Sequence, residues 1–205
     1  MGNTLLLSQV CKIVSGNSVP VKEKEELFTG VEGMPYVATK DVGYDGSINY
    51  KNGISIPNDY LSKFRVSPAG ATLVCAEGGS AGRKIAFSYQ DCCYVNKLFS
   101  IQPKETITPR FIYYYVLSNE FQSQFKKAIH GLIGGVSLSK IKDFSITIPP
   151  LAEQQRIVAK LDAAFAEIDG AVEVTNNSLN GLGQFREEFI SKTFSNTNTN
   201  WLTGS

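Results

Sequence analysis

The sequence predicts an α+β fold, in which a mixed globular domain is followed by a long C-terminal coiled-coil helix. Two observations support this fold class. Short β-prone segments separated by turn dipeptides fill the first 150 residues, and a heptad pattern of apolar residues follows Pro149-Pro150. A chain of 205 residues is long enough for one well-buried domain plus an added element. We therefore assign residues 1–149 to the domain, 150–194 to the helix and 195–205 to a flexible tail or the start of a linker.

The strands of the domain are predicted from three segments rich in apolar, β-branched or aromatic residues, at 70–76, 84–89 and 94–101. Asp45-Gly46 and Asn52-Gly53 are dipeptides that suit tight turns. The glycine-rich segment 78–84 lies between two predicted strands, so its main interpretation is a turn, with a DNA-backbone contact as the alternative.

One helix is predicted inside the domain. Thr108 is a candidate N-cap, Pro109 suits the first helical position and Gly131 suits a left-handed C-cap. A core-facing stripe is expected at every fourth residue, namely Leu117, Phe121, Phe125 and Ile129. The run Tyr113-Tyr114-Tyr115 is compatible with base stacking, but packing in and around the core is the favoured interpretation at helical spacing.

The C-terminal helix is predicted from apolar residues at alternating steps of three and four, which form a coiled-coil seam. A helix from Leu151 to Thr193 would extend roughly 65 Å at about 1.5 Å per residue, too far to bury its stripe on so small a domain. It therefore needs a partner helix along part of its length. Gly170, Gly181 and Gly183 weaken the helix and predict a bend or a close crossing.

The charge of the chain is unevenly distributed. Residues 1–148 hold 16 Lys or Arg against 12 Asp or Glu, whereas residues 149–205 hold 4 against 7. Residues 83–142 alone carry nine basic and three acidic side chains. A basic surface suited to phosphate is therefore available in the domain, although a solvated face of mixed charge is an equal alternative from charge alone.

The chemistry-bearing residues do not form a catalytic set. The single histidine, His130, leaves almost no material for triad or multi-histidine metal chemistry. Segment 78–84 lacks the Gly-Lys-Ser/Thr sequence opening a helix that a phosphate-binding loop requires. Four cysteines without metal-site spacing are expected to be reduced and buried, with Cys92 and Cys93 on opposite sides of a strand. The sequence predicts neither an enzyme nor a metal site.

The start of the chain lacks the basic and apolar regions of a signal peptide, and no apolar run is long enough to cross a bilayer. We expect a cytoplasmic protein that does not enter the membrane.

The segment from Ile148 to Asp162, IPPLAEQQRIVAKLD, resembles the stretch that opens the conserved helix of type I restriction-modification specificity subunits. Other segments occur in the order typical of that family: Pro35-Tyr36-Val37, the turn at 79–83, FIYYYVL at 111–117, Leu138-Ser139-Lys140-Ile141 and Ile168-Asp169. The resemblance covers nearly the whole chain.

This resemblance implies that residues 1–149 form a target-recognition domain that binds one half of a bipartite site in double-stranded DNA. It further implies that the helix docks methyltransferase and restriction subunits, and that S-adenosylmethionine, ATP and magnesium belong to those partners, with no cofactor bound by this chain. Complete subunits usually carry two such domains and two helices. The chain is either a natural half-subunit, pairing with itself through antiparallel helices, or a fragment.

We select DNA contacts for their chemistry and loop placement, and helix-interface residues for their heptad position or the resemblance. The candidate DNA contacts are Lys40, Ser80, Arg83, Lys84, Asn96, Lys97, His130, Ser137 and Lys140. The candidate helix-pairing or subunit-interface residues are Gln154, Ile157, Leu161, Phe165, Ile168, Val172, Leu179, Leu182 and Phe189. The alternative functions are a coiled-coil interaction or decoy module without DNA affinity, a recognition domain of a related fused restriction-modification enzyme, and, least favoured, a stand-alone nuclease or methyltransferase.

Overall fold

The computed structural model describes residues 2–131 and 134–197, with side chains described as far as residue 194. The chain divides into two compact units, Met1–Val158 and Ala159–Ser205. The sequence placed the domain boundary at residue 149, but the first two turns of the C-terminal helix belong to the first unit. Gln154 and Val158 are buried there.

The first unit combines short strands and short helices, as the sequence predicts. Its strands are β1 Asn3–Leu6, β2 Cys11–Ser15, β3 Met34–Val37, β4 Ser55–Ile56, β5 Val66–Ser67, β6 Thr72–Cys75, β7 Ile85–Phe87, β8 Cys92–Tyr94, β9 Leu98–Pro103 and β10 Ser145–Ile148. The helices of the chain are α1 Leu7–Val10, α2 Val21–Leu27, α3 Pro109–Leu117, α4 Asn119–Ala128, α5 Leu138–Lys142 and α6 Leu151–Thr197.

The strands form three sheets. One is antiparallel with the order β2-β9-β6-β7, and a second has the order β4-β3-β8-β5, in which β3 and β8 run parallel. The third pairs β1 with β10, from Asn3 opposite Ile148 to Leu6 opposite Ser145. This last pairing ties the start of the described chain to the strand that precedes Pro149-Pro150 and α6.

The core is divided by strand β8, whose neighbouring cysteines enter different clusters. Cys92 packs with Leu73, Ala86 and Leu98, whereas Cys93 packs with an aromatic group that includes Phe28 and Tyr36. Side chains alternate across a strand, so this division confirms the expectation for the pair. All four cysteines are buried and free.

The segment predicted as one helix from Pro109 to about Gly131 forms two helices. Ser118 has extended backbone angles, and its hydroxyl accepts a hydrogen bond from the Phe121 N–H, so α3 ends there and α4 begins. The break changes which face is buried: Phe121 and Phe125 enter the core, but Leu117 and Ile129 are each 40% exposed. The prediction of a single helix with a continuous stripe was wrong.

The predictions of strands and turns agree better with the structure than the prediction of the helix does. Segments 70–76 and 84–89 contain β6 and β7, but the strand predicted at 94–101 is divided, because β8 ends at Tyr94 and β9 begins at Leu98. Gly46 and Gly53 have φ values of 82° and 83°, as turn glycines should.

The C-terminal helix is continuous from Leu151 to Thr197, so the part of the predicted tail at 195–197 is helical, and 198–205 lie outside the described residues. Gly170, Gly181 and Gly183 do not interrupt it. A Cβ atom at any of these glycines would meet nothing within 4 Å in the chain, so no close crossing within the described chain accounts for them.

Gln154 links the first turn of α6 to the rest of the first unit. Its side-chain oxygen accepts a hydrogen bond from the Thr108 N–H at 2.9 Å, and its side-chain nitrogen donates to the Pro149 carbonyl at 3.0 Å. The side chain is only 1% exposed. The sequence assigned Gln154 to the helix interface, and this assignment is corrected because both hydrogen-bonding groups are used inside the unit.

Replacing Gln154 with alanine should lower the free energy of unfolding by about 1–3 kcal/mol, because the Thr108 N–H would be left without its acceptor. Urea denaturation measures the change. Gln155→Ala is the matched control, since Gln155 is exposed on the same turn. Equal stability of the two variants would contradict the assigned role.

Burial should also keep the cysteines unreactive. It raises the pKa of the Cys11 and Cys92 thiols to about 12 and that of Cys93 to about 11. The thiolate is the reactive form, so we expect negligible alkylation by iodoacetamide at pH 8 in the native protein and modification of all four cysteines in urea. Mass spectrometry after timed labelling provides the measurement, and rapid native labelling of any of these three thiols would contradict it.

Candidate nucleic-acid interface

The loop between β6 and β7, residues 76–84, is the centre of the candidate site, and we call it the β6–β7 loop. It makes a short 3-10 turn at Gly78–Ser80 and then a left-handed turn at Gly82, whose φ is 69°. A Cβ atom at Gly82 would lie 2.7 Å from the Phe125 ring. Glycine therefore lets the loop both turn and pack closely on α4.

One side of the loop carries cations beside an exposed tyrosine. The guanidinium of Arg83 and the ammonium of Lys84 lie 5.1 and 5.2 Å from the centre of the Tyr44 ring. The Tyr44 hydroxyl is 3.1 Å from the Ser80 hydroxyl, within hydrogen-bond distance. Cations are attracted to the face of an aromatic ring, so Tyr44 holds both charges near each other despite their repulsion.

Lys84 also fixes the loop to a neighbouring segment. Its ammonium donates a hydrogen bond to the Thr39 carbonyl at 3.0 Å. Thr39 opens the 3-10 turn that contains the exposed Lys40. Four of the residues predicted from sequence, Lys40, Ser80, Arg83 and Lys84, therefore belong to one neighbourhood.

The other side of the loop is joined to two further chain segments by backbone hydrogen bonds. The Ala76 N–H donates to the Lys97 carbonyl at 2.8 Å, and the Val136 N–H donates to the Ala76 carbonyl at 2.9 Å. The Lys97 ammonium lies 3.1 Å from the Glu77 carboxylate. Lys97 and its neighbour Asn96, both exposed in the β8–β9 turn, are thus brought beside the loop.

The remaining predicted residues lie on the segment that follows α4. His130 exchanges backbone hydrogen bonds with Gly135, which in turn is bridged to Glu77. Ser137 caps α5, accepting a hydrogen bond from the Lys140 N–H. These three predicted side chains line an open groove of about 560 Å³ together with others that include Lys127 and Asp143. The predicted DNA contacts therefore belong to the β6–β7 loop, to this adjoining groove or, for Lys97, to a segment that contacts the loop, while Lys40 and Asn96 each lie next to a residue that contacts the loop. We call this set of residues the loop edge.

A second cation–aromatic group adjoins the loop edge and was missed by sequence reasoning. The Arg110 guanidinium donates hydrogen bonds to the hydroxyls of Tyr89 and Tyr114, at 3.2 and 2.9 Å, and lies 5.4 Å from the centre of the Phe87 ring. A Cβ atom at Gly46 would lie 2.9 Å from the Tyr113 hydroxyl, so the turn that carries Tyr44 reaches this group. No spacing in the sequence indicates the arrangement, because its members come from β7, the turn after it and α3.

The three tyrosines of the run 113–115 pack in the core and at its edge, as the favoured interpretation predicts. Tyr114 and Tyr115 are buried, and the Tyr115 hydroxyl donates to the Ser145 carbonyl. Burial raises the pKa of both Tyr113 and Tyr115. Core packing is therefore the role of Tyr114 and Tyr115, while Tyr113 is partly exposed next to Arg110.

The acidic side chains close to Tyr44 in the sequence accept hydrogen bonds from other groups of the protein. Asp41 is buried and accepts hydrogen bonds from the Ala38 N–H and the Asn52 amide. The Ser47 hydroxyl and N–H donate to Asp45 and hold the pKa of that carboxyl below its usual value. Over residues 2–131 and 134–197, no group of three or more His, Cys, Asp or Glu side chains is arranged to hold a metal ion.

The second unit carries most of the predicted heptad residues on an apolar helix surface. Ile157, at the end of the first unit, and Leu161 are half-buried, whereas the later heptad residues are more exposed: Phe165, Ile168, Val172, Leu179, Leu182 and Phe189. Further exposed apolar residues, not predicted, flank them: Val174, Phe185, Ile190 and Phe194. A shallow groove of about 290 Å³ lies beside Ile168 and Val172. None of the described helices is long and apolar enough to cross a membrane.

Comparison with known proteins identifies relatives of the whole chain. Residues 3–180 match the model of the type I restriction modification DNA specificity domain. A curated relative, the type I restriction enzyme StySPI specificity subunit of Salmonella potsdam, is 23% identical over 215 residues, covering 98% of this chain and 44% of its own length.

Solved structures share the fold. A chain described under "Structural basis underlying complex assembly and conformational transition of the type I R-M system" has a TM-score of 0.72 at 21% identity, over 94% of this chain and 45% of its own. The HsdS subunit from Thermoanaerobacter tengcongensis has a TM-score of 0.62 at 23% identity, over 82% and 38%. This chain spans less than half the length of each of these relatives. On the match of residues 3–180, it belongs to the type I restriction modification DNA specificity domain family.

Proposed function

We propose that this chain is a non-catalytic DNA-specificity component of a type I restriction-modification enzyme and recognises one half of a bipartite target in double-stranded DNA. The observation that carries the proposal is the loop edge. Basic and hydroxyl side chains from separate parts of the sequence meet around the β6–β7 loop, on a domain whose family is that of DNA specificity. Such recognition would take place in the cytoplasm, where the DNA lies.

Two kinds of contact are expected at the loop edge. Lys40, Arg83, Lys84 and Lys140 would meet phosphates and fix the register of the domain on the duplex, because phosphate contacts position a protein without reading sequence. The shorter polar side chains, Ser80, Asn96, His130 and Ser137, would reach base edges in the major groove. Tyr44 keeps Arg83 and Lys84 together, which concentrates positive charge where a phosphate would bind.

The apolar surface of α6 supports a role in assembly. We propose that its heptad residues dock the methyltransferase and restriction subunits, which would supply S-adenosylmethionine, ATP and magnesium, or pair with a second copy of the helix. Antiparallel pairing of two identical chains would make the DNA target a symmetric, interrupted palindrome, whereas pairing with a different domain would make its halves unequal.

The competing function, a coiled-coil decoy without DNA affinity, is favoured by the same apolar helix surface. Salt-dependent binding to DNA in the presence of a methyltransferase subunit would exclude it. Methyl transfer by the purified chain alone would instead support an enzymatic function.

Replacing Arg83 and Lys84 together with alanine should weaken DNA binding to all sequences alike. The slope of log affinity against log salt should become shallower by about 0.9 for each phosphate that the variant no longer neutralises. Fluorescence anisotropy at several salt concentrations gives both quantities. The matched control is Lys22→Ala with Lys24→Ala on α2, which removes the same charge from another element. Unchanged affinity and salt slope in the Arg83 and Lys84 variant would place the phosphate contacts elsewhere.

Replacing Ile168 and Leu179 together with aspartate should disrupt helix pairing or subunit docking, because each change introduces a charge into the exposed apolar stripe. Sedimentation velocity of the chain, alone and mixed with the methyltransferase subunit, reports both outcomes. Ala163→Asp with Asn177→Asp is the control, since these exposed positions lie on the opposite side of the heptad. An unchanged oligomer with intact docking in the Ile168 and Leu179 variant would contradict the role of the stripe.

A further inference from the structure

We propose that Glu77 determines specificity by accepting a hydrogen bond from the exocyclic N4 amino group of a cytosine in the major groove. The inference rests on the proposed function, since it assigns one base-reading role within the loop edge. Sequence reasoning selected basic and neutral polar residues there and did not consider this carboxylate.

The Glu77 backbone is held in a fixed position. Glu77 directly follows Ala76, whose N–H and carbonyl are both engaged by neighbouring segments, and it forms an antiparallel bridge with Gly135. The Glu77 carbonyl also accepts a hydrogen bond from the Cys75 thiol. Its side chain is nevertheless 45% exposed. A side chain on a fixed backbone is suited to reading a base edge, because the backbone has little conformational freedom to give up on binding.

The Glu77 carboxylate is available to accept a hydrogen bond from DNA. Asp41 is buried and one of its carboxylate oxygens accepts two hydrogen bonds within the protein, while one oxygen of the exposed Asp45 accepts hydrogen bonds from Ser47. Among the described residues, the Glu77 carboxylate has an ion pair with Lys97, at 3.1 Å, and the Lys97 side chain is 53% exposed. Exposed ion pairs contribute little to stability, so DNA can replace either partner at small cost.

Electrostatic repulsion restricts what a carboxylate can contact on DNA. A carboxylate on a surface that binds DNA is repelled by phosphates, so it favours binding only where it meets a hydrogen-bond donor. The major groove offers two exocyclic amino groups, cytosine N4 and adenine N6. Adenine places the acceptor N7 beside its amino group, which repels a carboxylate, whereas the neighbour of cytosine N4 on that side is a carbon. The chemistry of the groove therefore favours cytosine, while the displaced Lys97 can move to a phosphate.

The test begins with selection of a consensus by the full 205-residue chain, together with the methyltransferase subunit, from a pool of random duplexes. Each cytosine of the consensus is then replaced by 2-pyrimidinone, which lacks the N4 amino group. At one position the replacement should weaken wild-type binding by about 5- to 150-fold and leave binding of Glu77→Ala nearly unaffected. Glu77→Gln should shift preference at that position from cytosine toward adenine, which a glutamine amide contacts at both N6 and N7.

Lys97→Met is the matched control, because it breaks the same ion pair from the other side. DNA binding by Lys97→Met should still weaken when the N4 group is removed, and its affinity should depend less steeply on salt concentration. Equal sensitivity to 2-pyrimidinone in wild type and Glu77→Ala, or an unchanged consensus in Glu77→Gln, would overturn the assignment of Glu77 while leaving the proposed function in place. A wild-type chain that selects no consensus would overturn both. Circular dichroism establishes that each variant is folded. The wild-type chain alone also tests the inference: if 2-pyrimidinone at every cytosine position leaves its affinity unchanged, the inference is overturned.

Discussion

The two backbone hydrogen bonds of Ala76 are the constraint on which the candidate site depends. The N–H donates to the carbonyl of Lys97, and the carbonyl accepts from the N–H of Val136. Ala76 is buried, so neither group can exchange its partner for water without cost. Through this one residue, the turn between β8 and β9 and the segment after α4 are held beside the β6–β7 loop. Segments that are distant in the sequence thereby lie beside one loop.

The β6–β7 loop also packs on an aromatic ring of α4. Gly82 allows the loop to approach Phe125, which is buried on α4. In a continuous helix the apolar stripe would extend beyond Phe125, and Ile129 would be buried in the core as well. Because the helix instead restarts at Ser118 and ends at Ala128, the chain turns at His130 and returns along the loop. The error in predicting α3 and α4 as one helix is therefore also the reason that the exposure of Ile129 was not foreseeable.

Charge and polarity are divided between the two units. The first unit gathers two cations on the Tyr44 ring and buries the nearby carboxylate of Asp41, which accepts internal hydrogen bonds. The second unit exposes apolar residues along a helix that bears more acidic than basic side chains. A phosphate backbone is attracted by the first surface and not by the second. This difference is the physical basis for assigning DNA contact to one unit and protein contact to the other.

The sequence by itself determined the α+β class, the long helix after Pro149-Pro150, the turn glycines and the family, because these follow from local patterns of apolar residues and from a contiguous motif. It also selected residues that border the loop edge, since cations and hydroxyls in loops are visible in sequence. Only the tertiary structure decided that Gln154 forms its hydrogen bonds inside the first unit. The contact of Tyr44 with Arg83 and Lys84, and the ion pair of Glu77 with Lys97, were likewise visible only there. Each of these depends on contacts between segments far apart in the chain, which local periodicity does not encode.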